Sequence, residues 1–275
     1  MNARTITFLL YLVFATISCA FGQRTHALSV GLGTIYYYGD LTDNFNNSLL
    51  KPAVSLSYSK YIVQQLSFRV NMTMGQIGAY DNVAFDRSRV LRNLHFKSNL
   101  YELSGNIVYE FLPDKNFGNA WQGKPHWSPY IFGGIAFFRF NPKAILNNQW
   151  YELQPLGTEG QFIPGNAGPY SLVQASVPVG LGASVRISER AGINFEIGYR
   201  TTFTDYLDDI STVYPDFEAL AEVSGPLAVE LSERSVGNIF RPGEKRGNSD
   251  ANDSYFFTMV SVTYYLSRYA SRDNN

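Results

Sequence analysis

A ten-residue stretch, Leu66–Gly75, alternates strictly between large apolar and polar or small side chains. The apolar set and then the polar set are Leu66, Phe68, Val70, Met72 and Met74, and Ser67, Arg69, Asn71, Thr73 and Gly75. A period of two residues is typical of a β-strand with two unlike faces. The polar face carries small side chains and one Arg, whereas a face in water is usually rich in Lys and Glu. This composition favours a strand that lines a narrow barrel and turns its apolar face to lipid.

Seven further segments show this alternation or an apolar run of strand length. They are Leu28–Tyr38, Ala53–Lys60, Leu103–Phe111, Tyr130–Phe140, Val177–Ile187, Ile193–Tyr199 and Phe256–Leu266. The segment Tyr130–Phe140 is apolar on both faces, so its register stays open. An even number of strands places both ends of a barrel on one side. The sequence therefore predicts an all-β fold, an eight-stranded antiparallel transmembrane β-barrel.

The connections between these segments alternate in length along the chain. The long ones are Gly39–Lys51, Tyr80–Lys97, Asn141–Tyr170 and Asp205–Asp253, and the short ones are Ile62–Gln65 and Ser188–Ala191. Outer-membrane barrels have long external loops and short periplasmic turns. We therefore assign the long set to the external side, which leaves Pro113–Ser128 as the one longer periplasmic turn.

The last external loop contains two short helix patterns, Asp216–Val223 and Pro226–Glu233. Asp is a favoured N-cap residue, and Pro is favoured at the first helical position. These patterns predict a structured loop that lies over the mouth of the barrel.

The N-terminus has the pattern of a signal peptide. The apolar run Ile6–Ile17 follows Arg4 and is too short for a helix that spans a bilayer. Small residues at Ala20 and Gly22 predict cleavage after residue 22, which gives a signal peptide over residues 1–22 and a barrel over 23–275. Cys19 leaves a lipoprotein alternative open, although the residues before it match a lipobox poorly. Loss of Cys19 with the signal would leave no cysteine and no disulfide.

The charges are balanced, with 22 basic and 23 acidic residues and a net charge of −1. No basic block stands out, which argues against a nucleic-acid partner. The alternation turns Arg69, Arg186 and Arg200 inward together with Glu102, Glu110 and Glu196. Since an unpaired charge inside a barrel is costly, we predict a network of ion pairs that fills the lumen. Alternatively Glu110 and Arg186 lie at solvated rims.

Aromatic residues fall near both ends of the predicted apolar face. Those near the external end are Tyr36, Tyr38, Tyr199 and Phe256, and those near the periplasmic end are Tyr58, Tyr109, Phe111 and Tyr264. Two aromatic girdles are typical of a barrel in a bilayer. The alternative is the ordinary preference of Tyr and Phe for strands.

Residues capable of catalysis are sparse. The three histidines are His26 and His126 on the periplasmic side and His95 on the external side, so they cannot form one triad. His95 with Asp81 or Asp86 is the remaining enzymatic alternative. We therefore expect neither an enzyme nor a cofactor.

One group of carboxylates, Asp205, Asp208 and Asp209, could bind Ca²⁺. Its spacing is not that of an EF-hand, and carboxylates in loops more commonly bond to turns. A separate feature is the pair Trp121 and Trp127 in the long periplasmic turn. Aromatic residues on a wet turn predict a surface for partner binding.

Several loop segments resemble a family of outer-membrane barrels from Bacteroidetes, the PorG-like proteins. The segments are Arg92–Leu94, Ser98–Glu102, Phe140–Ala144, Leu153–Gln161 and Tyr199–Ser211. The resemblance implies a component of type IX secretion and gliding that anchors or positions a periplasmic ring of PorK lipoprotein and PorN. It implies no catalytic residues. The alternative is a small OmpA-like surface barrel that binds an external ligand or stabilises the envelope.

Overall fold

The computed structural model describes residues 26–42, 45–112 and 124–266, which contain ten strands, three short α-helices and three single-turn 3₁₀-helices. The strands are β1 (His26–Tyr38), β2 (Lys51–Val63), β3 (Leu66–Tyr80), β4 (His95–Glu110), β5 (His126–Arg139), β6 (Pro142–Leu146), β7 (Gln149–Glu152), β8 (Val173–Arg186), β9 (Ala191–Thr202) and β10 (Ser254–Tyr265). The helices are α1 (Arg87–Arg92), α2 (Phe217–Ser224) and α3 (Pro226–Ser232). In the described ranges, no helix combines the length and the apolar character needed to cross a bilayer.

Eight of these strands close into a barrel. Each pairs antiparallel with its neighbour in the order β1, β2, β3, β4, β5, β8, β9, β10, and β10 pairs back onto β1 with Tyr265 opposite Ala27. The strands β6 and β7 form a hairpin in the loop after β5. The predicted eight-stranded antiparallel barrel is confirmed. The predicted signal peptide, residues 1–22, lies outside the described residues.

The outer wall of the barrel is apolar over its middle. Exposed apolar side chains on it include Leu28, Val30, Leu32, Leu56, Val70, Met72, Leu103, Ile107, Ile131, Ile135, Val179, Leu181, Phe195, Ile197, Val260 and Val262. The open register of β5 is settled, because Ile131, Ile135 and Phe137 point outward and Phe132 and Phe138 point inward. A soluble protein rarely exposes so large a continuous apolar surface, and a barrel in lipid requires one.

The external ends of β3 and β4 reverse this polarity. Beyond Met74 and Tyr101 the buried inner residues are Ile77, Ala79, Phe96 and Leu100, and the outer residues are Gln76, Lys97 and Asn99. Apolar inside and polar outside is the arrangement of a sheet in water. The predicted loop Tyr80–Lys97 was therefore too long, since both strands continue to the pair Tyr80 and His95. The point of reversal marks where the wall leaves the apolar zone.

The external loops are largely ordered. The long connection Asn141–Tyr170 contains a hairpin that its sequence did not predict, because β6 and β7 extend the sheet from β4, with Lys143 opposite Lys97. The two predicted helices in the last loop are confirmed as α2 and α3. Asp216 caps α2 by accepting hydrogen bonds from the backbone N–H groups of Glu218 and Ala219.

These loops pack into one lid, which we call the external cap: residues 81–94, 140–172 and 203–253. Its apolar side chains Leu207 and Ile210 are fully buried and join an apolar cluster that fills the external part of the barrel. The barrel side of this cluster includes Ile35, Tyr37, Ile77, Phe96, Phe138, Tyr255 and Phe257. The interior is thus polar toward the periplasmic end and apolar beneath the cap.

Candidate functional site

Two buried ion pairs cross the barrel interior. One joins Arg69 Nη1 to Glu196 Oε2 at 2.7 Å, and Tyr130 donates its hydroxyl to the same carboxylate at 3.0 Å. The guanidinium of Arg69 also lies 4.9 Å from the centroid of the Phe132 ring. Charged hydrogen bonds at these distances are among the strong interactions of a protein interior. The pair connects β3 to β9 across the lumen, which neighbouring-strand pairing cannot do.

The second ion pair is bidentate. Arg200 donates through Nε and Nη2 to the two carboxylate oxygens of Glu102, each at 3.1 Å. Tyr255 adds a hydrogen bond from its hydroxyl to Glu102 at 2.9 Å. The Arg200 guanidinium also lies 4.8 Å from the centroid of the Phe257 ring, directly below the apolar cluster. This pair therefore links β9 to β4 where the polar and apolar parts of the interior meet.

Glu110 and Arg186, for which the sequence left open a position at a solvated rim, lie at the periplasmic end of the barrel. Arg186, the last residue of β8, donates to the carbonyl oxygens of Ser188 and Glu189 in the turn after it, at 3.1 and 3.0 Å. Glu110, the last residue of β4, is half-buried and hydrogen-bonds to Tyr61. The structure thus brings four of the predicted charges into two cross-lumen pairs and places Arg186 against its own turn.

Side chains fill the barrel interior. The two voids around the ion pairs have volumes of about 30 and 20 Å³, room for isolated water molecules only. Glycines make space for the rings: a Cβ on Gly180 would lie 2.4 Å from the Phe132 ring, and one on Gly182 equally close to the Tyr130 ring. An eight-stranded barrel is narrow enough to be filled in this way.

A filled lumen predicts that the protein conducts no ions. We expect purified protein in planar bilayers to give no stepwise conductance, because solutes would have to displace both ion pairs. The measurement is the single-channel current under an applied voltage. A variant in which Glu102 and Arg200 are both replaced by Ala is a control for sensitivity, since it removes one of the two ion pairs that cross the lumen. Stable openings in the wild-type protein would contradict a closed lumen.

The external cap is built around Arg246, which is fully buried. Its Nη1 donates to Glu159 Oε1 at 2.8 Å and to the carbonyl oxygen of Asp209 at 2.6 Å, and its Nε donates to that of Ser232 at 3.3 Å. The Glu159 carboxylate in turn accepts hydrogen bonds from the backbone N–H groups of Ser211 and Thr212, at 2.9 and 3.0 Å. One Arg–Glu pair therefore ties the loop after β5 to the loop after β9.

A second buried carboxylate, Asp81, organises the loop after β3. It accepts two hydrogen bonds from Arg92, at 2.7 and 2.9 Å, and one from Arg89 at 3.0 Å. Arg92 also donates to the carbonyl oxygen of Arg246. The two buried clusters of the cap are thus joined by one guanidinium.

The candidate Ca²⁺ ligands are separated by their protein partners. Asp208 accepts from the Tyr37 hydroxyl at 2.6 Å, whereas Asp209 accepts from the hydroxyls of Thr158 and Tyr170. Asp205 is buried in the cap and hydrogen-bonds to Ser211. No group of three or more ligating side chains in the described ranges converges on one point. Asp208 and Asp209 instead accept hydrogen bonds from protein hydroxyls, that of Tyr37 on β1 and those of Thr158 and Tyr170 in the cap.

Burial shifts the acidity of this cap. Loss of hydration raises the pKa of Asp205 to about 8 and that of Asp209 to about 6, and it raises the pKa of Asp208 and Asp253 well above the ordinary range. An acid whose pKa is raised by folding stabilises the fold below its ordinary pKa, and this stabilisation is lost as the pH rises through the folded pKa. Burial therefore favours the neutral form of these carboxyl groups over the charged form.

We expect the cap to be less stable at pH 9 than at pH 5. The measurement is the rate at which a nonspecific protease cleaves residues 203–253 in vesicle-embedded protein, divided by the rate on an unfolded peptide at the same pH. The Asp205→Asn variant is the matched control, because it cannot ionise and should show a smaller pH difference. An identical pH difference in both proteins would contradict the role assigned to Asp205.

The residues of the enzymatic alternative, His95, Asp81 and Asp86, bond to groups that stabilise the cap. His95 accepts the backbone N–H of Ile145 at 3.1 Å and stacks on Tyr80, while Asp81 binds the two arginines described above. Asp86 caps α1 by accepting from the N–H and hydroxyl of Ser88. No His–Asp hydrogen bond is formed by these three residues in the described structure.

The two predicted partner-binding tryptophans have different outcomes. Trp121 lies outside the described residues. Trp127 was expected on a turn, and that placement was wrong, because it pairs with Val185 inside β5. Its side chain is 54% exposed on the outer wall. Strand pairing continues further toward the periplasm than the polar composition of that turn indicated.

Aromatic girdles are present at both ends of the wall. Tyr38 and Tyr199 are exposed at the external end, and Tyr58, Tyr109 and Tyr264 are exposed at the periplasmic end. Tyr36, by contrast, is buried, because Phe45 and Phe256 cover it with ring centroids at 5.0 and 5.1 Å. The first external loop therefore folds down against the outside of the barrel.

Comparison with known proteins gives fold relatives and one family. No curated protein matches the sequence. Similar solved structures include Ail of Yersinia pestis, with 9% identity and a TM-score of 0.43 over 89% of this chain and 100% of that one. Others are Neisserial surface protein A (10%, 0.42, 87% and 96%) and OprG of Pseudomonas aeruginosa (8%, 0.42, 90% and 97%). These likenesses concern the fold alone.

Residues 4–223 match the family model described as "Domain of unknown function (DUF6089)". The match begins before β1 and ends in α2, so it includes seven of the eight barrel strands and much of the cap. The chain therefore belongs to the DUF6089 family.

Proposed function

We propose that the protein is a non-enzymatic integral protein of the outer membrane that positions other proteins there. The observation that carries this proposal is a closed barrel with an apolar outer wall and a filled interior. Such a barrel attaches a chain to a bilayer and gives it a rigid frame, while its lumen is too full for transport. The carboxylates of the two lumen ion pairs and Glu159 of the cap bond to protein groups, which supports a scaffold in preference to an enzyme.

The membrane location is tested by one substitution on the wall. Leu181 is 61% exposed near the middle of β8. We expect Leu181→Arg to lower the free energy of unfolding in vesicles by about 2–4 kcal/mol, the cost of a cation near the bilayer midplane. The same change at Val236, which is 79% exposed in the cap, should be nearly neutral. Equal effects at both positions, or a protein that stays monodisperse without detergent, would contradict the membrane location.

The partners that we propose are the ring components of type IX secretion, a PorK-like lipoprotein and PorN. The support is the resemblance carried by the loop segments, above all Tyr199–Ser211. This segment completes β9 and then enters the cap, where Leu207, Asp208 and Asp209 are fully buried. Its buried residues are not available to a partner, and we place the ring contact at the opposite, periplasmic end.

We place this contact on the wall around Trp127. A lipoprotein is held at the membrane surface by its acyl chains, so it approaches a barrel from the side, where Trp127 is exposed. Large aromatic side chains are common anchors of protein interfaces. We expect a photoreactive amino acid at position 127 to crosslink to the ring proteins in cells. The same amino acid at Tyr101, exposed near the external end, is the matched control.

Deletion of the gene separates this proposal from the alternative. Loss of type IX secretion without general leakage of the envelope supports the ring role. Intact secretion, with no crosslink from position 127, removes it and leaves the membrane-embedded barrel unaffected.

The alternative function is an external surface barrel that binds a ligand. It is favoured by a cavity of about 430 Å³ in the cap, a volume in the range of small-molecule sites. Arg234 lies in its wall and donates Nη1 to the carbonyl oxygen of His95 at 2.7 Å, but its Nε and Nη2 have no partner among the described residues. Burial lowers the pKa of Arg234 to about 9. Donors of this kind favour a ligand with a carboxylate or phosphate.

A further inference from the structure

The outer wall carries a compact group of cations and aromatic rings at one sector of its external end. We call it the basic patch: Lys97 on β4, Arg139 on β5, Lys143 on β6, and the rings of Tyr101 and Trp150. Strand pairing fixes its layout, since Tyr101 is opposite Arg139 and Lys97 is opposite Lys143. We propose that the basic patch binds the phosphate groups of lipids in the outer leaflet.

The height of the patch supports this proposal. The outer wall changes from apolar to polar between Tyr101 and Asn99, and Lys97 is four residues beyond Tyr101 along β4. At about 3.3 Å per residue and a tilt of about 40°, Lys97 lies roughly 10 Å above the apolar edge. That is the level of lipid headgroups next to the hydrocarbon core. The cations are therefore placed where lipid phosphates are found.

The charges of the patch are available to a ligand. Arg139 is exposed and has no ion pair among the described residues, and Lys97 lies with Nζ 3.4 Å from the centroid of the Trp150 ring. Lys143 is bonded to the exposed carboxylate of Glu152 at 2.8 Å. The patch thus contains three cations and one neighbouring carboxylate, so its net charge is positive. A solvent-exposed pair such as Lys143–Glu152 is weak and exchanges readily for a stronger anion.

The positive charge lies on one side of the external rim, which also carries Lys51 at the start of β2. At the external ends of β8, β9, β10 and β1 the exposed outward side chains are uncharged, as Val173, Tyr199 and Tyr38 show. A belt that served only general membrane anchoring would be distributed around the barrel. Cations gathered beside aromatic rings instead favour one oriented headgroup, with phosphate on the cations and the remainder of the lipid along the apolar wall.

The inference rests on the proposed membrane location, and the following experiment tests it separately. Detergent-solubilised protein is titrated with diphosphoryl lipid A and with the dephosphorylated lipid, and the bound lipid is counted by native mass spectrometry. We expect the triple variant K97Q/R139Q/K143Q to bind the diphosphoryl lipid at least about tenfold more weakly, since each surface cation adds to the attraction of an anionic lipid. Binding of the dephosphorylated lipid should be the same in both proteins.

The control variant K60Q/R190Q removes two cations from the periplasmic end and should bind diphosphoryl lipid A like the wild type. Inorganic phosphate, added as a competitor, should displace the lipid only weakly, because the apolar wall contributes to binding. An unchanged affinity in the triple variant, an equal loss in the control variant, or full displacement by inorganic phosphate overturns the proposal.

A spectroscopic measurement covers the case in which the triple variant folds poorly. In a W121F/W127F background, Trp150 is the remaining tryptophan. Lipid phosphate should draw Lys97 away from the Trp150 ring and change its fluorescence, and the single variant K97Q should abolish this change. A fluorescence change that persists in K97Q contradicts the proposal.

Discussion

Replacement of Arg200 by Met is expected to lower the free energy of unfolding by about 3–5 kcal/mol, the usual cost of leaving a buried charge without its partner. Arg200 holds both oxygens of Glu102, and both side chains are almost completely inaccessible to solvent. Tyr255 alone would then remain as a donor to that carboxylate. The measurement is urea unfolding of protein refolded into lipid vesicles, followed by tryptophan fluorescence.

The double variant E102M/R200M is the informative control. Removal of both charges leaves no unpaired ion, and apolar replacements of similar volume often restore or exceed the original stability. We therefore expect the double variant to be much more stable than R200M. If R200M unfolds like the wild type, or if the double variant is as unstable as the single one, then Glu102 does not depend on Arg200.

Replacement of Arg246 by Met is expected to open the external cap while the barrel stays folded. The substitution removes the ion pair with Glu159 and the hydrogen bonds to the carbonyl oxygens of Asp209 and Ser232. A loss of about 3 kcal/mol in local stability corresponds to roughly a hundredfold increase in the population of the open cap. Protease cleavage within residues 203–253 should accelerate accordingly.

The matched control for Arg246 is Arg241→Met, in the same loop. Arg241 is exposed, and its side chain makes one long hydrogen bond, 3.4 Å, to the carbonyl oxygen of Asn238. We expect that variant to be cleaved at the wild-type rate. The barrel strands should remain protected in both variants, as shown by retained heat-modifiable migration on gels. Global unfolding of the Arg246 variant would mean that the cap and barrel form one cooperative unit.

Much of the barrel could be predicted from the sequence, because every second residue of a strand that faces lipid is apolar and the residues between are polar or small. The stretch Leu66–Gly75 shows this clearly, and the structure keeps its predicted faces. Prediction stopped short above Met74 and Tyr101, because the alternation continues there with inverted polarity. The inner residue Ile77 was consequently left outside the predicted strand, and Phe96 was assigned to a loop. A period of two residues is informative there too, once the solvent is allowed to change along one strand.

The lumen pairs were only partly accessible to sequence reasoning. Alternation turned Arg69, Glu102, Glu196 and Arg200 inward, but it could not say which charge meets which. Partners across a barrel depend on the stagger of the strands, which no local pattern contains. The structure pairs Arg69 with Glu196 and Arg200 with Glu102, each across non-neighbouring strands.

The structural role of the cap residues was missed for a different reason. Asp81, Arg92, Glu159 and Arg246 come from three loops, and loops have no period that marks a buried position. Arg92 and Glu159 do lie inside the segments that carry the family resemblance, which was the one available signal. No sequence signal pointed to Arg246, since it follows a polar stretch that is typical of an exposed loop. Its burial depends on contacts with residues about 90 positions away, such as Glu159 at 87.

The closure of the barrel has a consequence for how the chain matures. The seam joins the first strand to the last, with Ala27 beside Tyr265, so every other strand is synthesised between the two partners. Before that seam forms, both edge strands expose unpaired backbone groups in addition to the apolar wall. The unclosed polypeptide therefore has to be shielded from aggregation until its final strand pairs with the first. Deletion of β10 is expected to leave an open sheet that is degraded, and no barrel of seven strands is expected to form.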